Sequence, residues 1–225
     1  MDNNLRLVPP IRFKDPSPIN LDLIFDYQIG ALSAWGLPEQ LGISQEVFRE
    51  KAERQIRQFM YSESLAAEGL DQVILVHYGV SDDYLAKVAE VETLFDLNDT
   101  RHCGNMALPP GFAVVQCNLG PKYKNRRIVD VRQNYINEML GVITEGLFAY
   151  LYWGNSLLRN CFMDFPGSLS GDGHTPSLLL RGDKPFLVVD DKDMRDPWGT
   201  PEKGEAFAKP RAYPDFGSVT CVRWF

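Results

Sequence analysis

The sequence predicts an α+β fold, with helices packed on a largely antiparallel sheet and a C-terminal third that is mostly β. Three observations carry this. Apolar residues in the first sixty positions recur at helical spacing, VILVHY at 73–78 is a continuous apolar run of strand length, and CFMDF, PSLLLR, KPFLVVD and SVTCVRWF are short β-favourable runs separated by turn residues. With 225 residues and 44% hydrophobic composition the chain is long enough for a sizeable core. At this size folding buries roughly 70% of the unfolded surface. One cooperative domain over 20–225, preceded by an extended proline-rich arm at 1–19, is the simplest organisation.

Taken in order, Leu21, Ile24, Gln28, Leu32 and Trp35 mark the first helix, with Asn20 as N-cap and Gly36-Leu37-Pro38 as the stop. Ser44 caps a second, whose apolar face is Val47, Phe48, Ala52, Ile56 and Phe59. The run at 73–78 suits a strand buried on both faces. Ser81 then restarts a helix through SDDYLAKVAEV. Residues 96–111 form a long polar connection punctuated by proline and glycine. FAVVQCNL and RRIVDVR, flanking GPKYKN, read as a hairpin, and 134–158 reads as helix, interrupted at Gly141 or at Thr144-Glu145. In the last third, RGDK between two apolar runs predicts a tight two-residue hairpin turn inside 177–190, and 194–217 a long surface excursion.

Charge and targeting narrow the function classes. A net charge of −7 opposes the basic field that nucleic acid or an anionic membrane surface requires, so neither is an expected partner. No basic segment followed by an apolar one opens the chain, and the most apolar stretch, 139–158, contains Glu145, Asn155 and three glycines. A soluble, cytoplasmic protein is expected. Cys103, Cys117, Cys161 and Cys221 have neither a C-x-x-C pair nor dense spacing, which fits reduced thiols.

The candidate sites are few. Asp190, Asp191 and Asp193 follow the FLVV run, where clustered oxygens suit a hard cation. Counted from Asp191, the twelfth position of a helix-loop-helix calcium loop fits at Glu202, but the sixth is Asp196 instead of glycine. In the glycine-rich loop 167–175, Asp172 and His174 form a carboxylate–imidazole pair suited to general-base work. Ser170 misses the nucleophile-elbow pattern because Ser168 stands two before it, and no dinucleotide or P-loop glycine pattern is present, so no cofactor is called for. His102-Cys103 is the one thiol–imidazole neighbourhood in a polar segment, and Lys122–Arg127 a basic tip that could meet an anion. Tyr150, Tyr152 and Trp153 are too dense to share one helix face, which suggests an aromatic pocket edged by Ser170 and the glycine loop.

At NCF (160–162), GS (167–168), GDGHTPSLLL (171–180) and GSVTC (217–221) the chain resembles an uncharacterised bacterial domain family of unknown function, common in actinobacteria. TEGL (144–147) and GISQEVFRE (42–50) also fall at matching relative places. The chain departs from the pattern in carrying Ser170 where a second cysteine stands and in lacking most of the tryptophans near the end. The resemblance implies a compact bacterial domain and nothing about a reaction.

Three functions follow as expectations. The first is a cytosolic, cofactor-free binding or accessory protein that holds a small molecule or a peptide partner in the aromatic pocket. The second is an enzyme of hydrolysis or proton transfer using Asp172 and His174, with or without a metal at Asp190, Asp191 and Asp193. The third is an immunity-type or scaffold protein binding through an acidic surface. The arm at 1–19 serves either as a swapped contact in a homodimer or as an unordered segment.

Overall fold

The structure is a computed structural model and describes residues 20–103, 108–134, 138–159, 161–189 and 216–225. Its helices are α1 (Leu21–Ala34), α2 (Leu37–Gln40), α3 (Gln45–Ile56), α4 (Glu63–Ala67), α5 (Asp82–Val88), α6 (Ile128–Asn134), α7 (Ile143–Trp153) and α8 (Asn155–Leu158). The strands are β1 (Gln72–His77), β2 (Glu92–Thr93), β3 (Arg101–His102), β4 (Phe112–Lys124), β5 (Met139–Leu140), β6 (Phe162–Asp164), β7 (Ser168–Leu169), β8 (Pro176–Arg181), β9 (Lys184–Val189) and β10 (Phe216–Trp224). The main sheet runs β1-β4-β10-β6-β8-β9-β2, with β5 also paired to β10, and β3 pairs with β7 apart from it. Its pairings are antiparallel except β10 with β6 and β2 with β9. The α+β class with C-terminal strands is therefore what the chain adopts. Among the described residues no helix is long and apolar enough to cross a membrane.

Local chemistry accounts for most boundaries. The side chains of Asn20, Ser44, Ser62 and Ser81 accept from backbone N–H groups three residues on, satisfying donors that have no partner inside the helix. Gly36, at φ +78°, turns the chain from α1 into α2 in a conformation costly for a side chain. Arg181 and Lys184 close the β8–β9 hairpin across Gly182-Asp183, the predicted two-residue turn.

The core fills around β1, β4 and α7. All of α7 is buried, and Ile74, Leu75, Val115, Phe148 and Tyr152 are among the sealed side chains. At the β1 edge of the sheet, an open row of peptide groups would otherwise remain. Gln28 of α1 closes it: its Nε2 donates to Val73 O at 2.9 Å and its Oε1 accepts from Leu75 N at 2.8 Å. Tyr152 of α7 adds an O–H to Leu75 O at 2.5 Å. A side-chain amide thus replaces a neighbouring strand.

Two readings are corrected. RRIVDVR is the start of α6, not a strand: Arg127 and Asp130 pair one turn apart, Val131 N donates to Arg127 O, and Ile128 and Val131 bury one helical stripe. The helix read at 134–158 begins only at 143, because 139–140 joins β10 as β5 and Gly141 lies against Val219, where a Cβ would overlap the valine side chain and its carbonyl oxygen. The arm at 1–19 and nearly all of the 194–217 excursion lie outside the described residues.

Candidate functional site

The sequence-predicted site residues that are described divide between an exposed turn, the core and a cleft. Asp172 is exposed, on a tight turn in which Ser170 N donates to His174 O at 2.9 Å and Gly173 N to Ser170 O at 2.8 Å. Ser170 is buried, and among the described residues its hydroxyl bonds only along this turn, accepting from His174 N at 3.1 Å and donating to His174 O at 3.3 Å. Asp190, Asp191 and Asp193 lie outside the described residues. Tyr152 and Trp153 are core: Tyr152 packs among the rings of Trp35, Phe148 and Trp153 while its hydroxyl holds the sheet edge. The His77 imidazole accepts from Gly79 N and meets the Phe112 ring edge-on, and burial lowers its pKa. On the basic tip, Lys122 pairs with Glu138 at 2.5 Å.

Tyr150 is different. It lines a cleft of about 400 Å³ with Ala89, Glu90, Glu92, Asn155, Asp183, Lys184 and Pro185. Its hydroxyl donates to Asn155 Oδ1 at 2.6 Å, and Asn155 Nδ2 donates to Asp183 O at 2.8 Å, so both polar groups are fixed in advance. Burial, helped by the Glu90 charge, pushes the phenol up to about 12, which keeps it a neutral donor. Glu90 follows α5 at φ +55°, where Val91 N bonds Ala86 O and Glu90 N bonds Lys87 O. That helix ending favours glycine. Three carboxylates against one ammonium leave the cleft negative.

A second polar assembly centres on a buried ion pair. The side chains of Glu145 and Arg223 are both fully buried, and Arg223 Nε donates to Glu145 Oε1 at 2.6 Å. The same carboxylate accepts from Tyr78 O–H at 2.5 Å and from Val142 N at 2.9 Å, and Cys221 Sγ lies 3.7 and 3.8 Å from its two oxygens. Arg223 also donates to Leu140 O at 2.8 Å and to Met139 Sδ at 3.2 Å. Burial opposes the guanidinium charge most strongly, but the Glu145 carboxylate, Cys221 and Tyr78 together outweigh it and raise the Arg223 pKa. Burial and the same carboxylate push Tyr78 and Cys221 well above their ordinary values. Asp82, bonded by the Thr144 hydroxyl at 2.7 Å, is raised to about 6, mainly by burial. The His102 imidazole feels both ions, and burial lowers it. Its Nδ1 is buried without a hydrogen-bond partner among the described residues. A carboxylate held by this many donors has no lone pair left for proton abstraction, so the assembly reads as an anchor.

Sequence reasoning had passed over Glu145, Arg223 and Tyr78 as functional groups. The available signal was a lone charge in each of two apolar runs, ITEGLFAYLYW and SVTCVRWF. Comparison with protein-family models, with curated proteins and with solved structures gave no match.

Proposed function

We propose that the protein is a binding module whose cleft at Tyr150 takes a primary amine or guanidinium, either on a free small molecule or on a lysine or arginine side chain of a peptide. The observation that carries this is the negative, prearranged cleft: Glu90, Glu92 and Asp183 outnumber Lys184, and Tyr150 and Asn155 are already oriented. Preorganised polar groups lower the ordering cost of binding. Glu90 supports the reading further, because a glycine there would remove backbone strain of the order of 1 kcal/mol. A strained residue with a charged side chain in a cleft fits a stability cost kept for a ligand.

The test is thermal shift and calorimetry with putrescine, arginine and a lysine-containing peptide, against acetate and glutarate. A ligand that binds only the folded chain raises its melting temperature with concentration. The amines are expected to do so and the acids are not. The peptide arm separates a protein partner from a free metabolite. Binding should weaken at least tenfold in E90Q/E92Q, while E90G should be more stable than the parent yet bind less. No amine response at millimolar concentration, or an undiminished one in E90Q/E92Q, overturns the proposal.

A further inference from the structure

Cys117 and Cys221 stand directly opposite each other in the antiparallel β4–β10 pairing. Which kind of pair they form follows from their neighbours. Val73 and Leu75 of β1 turn their peptide groups outward to Gln28, so Gln72 and Ile74 turn theirs toward β4 and bond Cys117 and Val115. Cys117 therefore spends its backbone groups on β1. On the other strand, Val219 O accepts from Gly141 N beside β5, which by alternation turns the peptide group of Cys221 to that side too. Both observations make Cys117–Cys221 a non-hydrogen-bonded pair, the closer of the two antiparallel types, with Cα atoms about 4.5 Å apart and side chains on one face. That separation falls within the range disulfides span.

We infer that Cys117 and Cys221 form an oxidisable cross-strand dithiol, which hydrogen peroxide closes to a disulfide that staples β10 to β4. Both are free thiols in the reduced chain. In the first step one cysteine loses its proton and its sulfur attacks a peroxide oxygen. The O–O bond breaks, the departing hydroxide takes up a proton to give water, and a sulfenic acid remains. In the second step the other sulfur attacks that sulfenic sulfur, the S–O bond breaks, and the hydroxide leaves as water with the second thiol's proton. Two thiols are oxidised by two electrons and one peroxide is reduced to two waters. Both cysteines are sealed and burial raises both thiol pKa values, so closure is slow and waits on local opening of β10. Half-buried Cys103 serves as an internal reference for ordinary oxidation.

The experiment oxidises the full chain with hydrogen peroxide under native conditions, blocks the remaining thiols and maps peptides by mass spectrometry. The expected result is a peptide joining Cys117 to Cys221, reversed by dithiothreitol. C103A/C161A, which keeps only this pair, should lose both thiols, and its melting temperature should rise by roughly 5 to 10 °C. C221A should show no cross-link and no such rise. Overoxidised single cysteines without the linked peptide, linkage only in denaturant, or a link between other cysteines overturns the inference. The wild-type peptide map decides the matter even if a variant folds poorly.

Discussion

Removing both ions of the Glu145–Arg223 pair should cost clearly less than the two single removals added together. Their charge centres, about 4 Å apart, attract by roughly 4 kcal/mol at the effective dielectric of proteins. Desolvation offsets much of this, so the net worth of the pair is small, yet an ion left alone inside costs about 3 to 5 kcal/mol. E145L leaves the buried Arg223 charge with only neutral acceptors among the described residues, the Tyr78 hydroxyl, Leu140 O and Met139 Sδ, and also strips Val142 N and Tyr78 of their carboxylate acceptor, placing it at the upper end. R223M leaves a carboxylate that keeps three other contacts, placing it near the lower end. For a chain of this size each kcal/mol is worth about 2 to 4 °C, so E145L should lower the melting temperature by roughly 10 to 20 °C and R223M by roughly 6 to 12 °C. E145L/R223M should cost less than the sum of the two by about 1 to 3 kcal/mol. Urea unfolding of the four proteins gives the cycle. Additive single effects, or a loss under about 1 kcal/mol for E145L, would refute the claim that this pair is buried and coupled.

Asp82 gives a pH signature. Its folded pKa is raised from 3.8 to about 6, so the folded state prefers the neutral acid. That contribution is fully present below pH 3.8 and is lost as pH rises through 6. D82N should therefore stabilise at pH 8 by about 2 kcal/mol after allowing for a lost helix-dipole contact, with little gain at pH 4. Equal gains at both pH values in denaturant titrations would remove the burial argument. At the sheet edge, Q28L strands Val73 O and Leu75 N and should cost about 2 to 5 kcal/mol. It should also aggregate faster, and a stability unchanged within 0.5 kcal/mol, roughly the scatter of a surface substitution, would show that another group closes the edge.

What the sequence disclosed was local. Asn20, Ser44 and Ser81 cap helices through bonds that span three residues, and Gly182-Asp183 turns a hairpin by its own backbone freedom, so no distant contact is needed to read them. IVDV misled because β-branched residues favour strands. The Arg127–Asp130 pair and the burial of Ile128 and Val131 one turn apart decided otherwise. The Tyr150 cleft was illegible for a different reason: its walls come from 89–92, 150–155 and 183–185, which only the β2–β9 pairing and the chain around α7 and α8 bring together. The density of rings at 148–153 did signal that they could not share one surface, but it could not say that Tyr152 and Trp153 would go inward while Tyr150 reached the cleft.

One helix explains that division. Glu145 in the first turn of α7 meets Arg223 of β10, Tyr152 seven residues later bonds the edge of β1, and Tyr150 presents its hydroxyl to Asn155 at the cleft. A helix that is apolar all round must be enclosed, and the few polar groups it carries are then costly unless each meets a partner. Each of these three does, and each partner belongs to a different part of the chain. Within the cleft, Tyr150 is consequently carried by a helix buried along its whole length, so a change at Glu145 in the first turn of that helix would be felt first as lost stability.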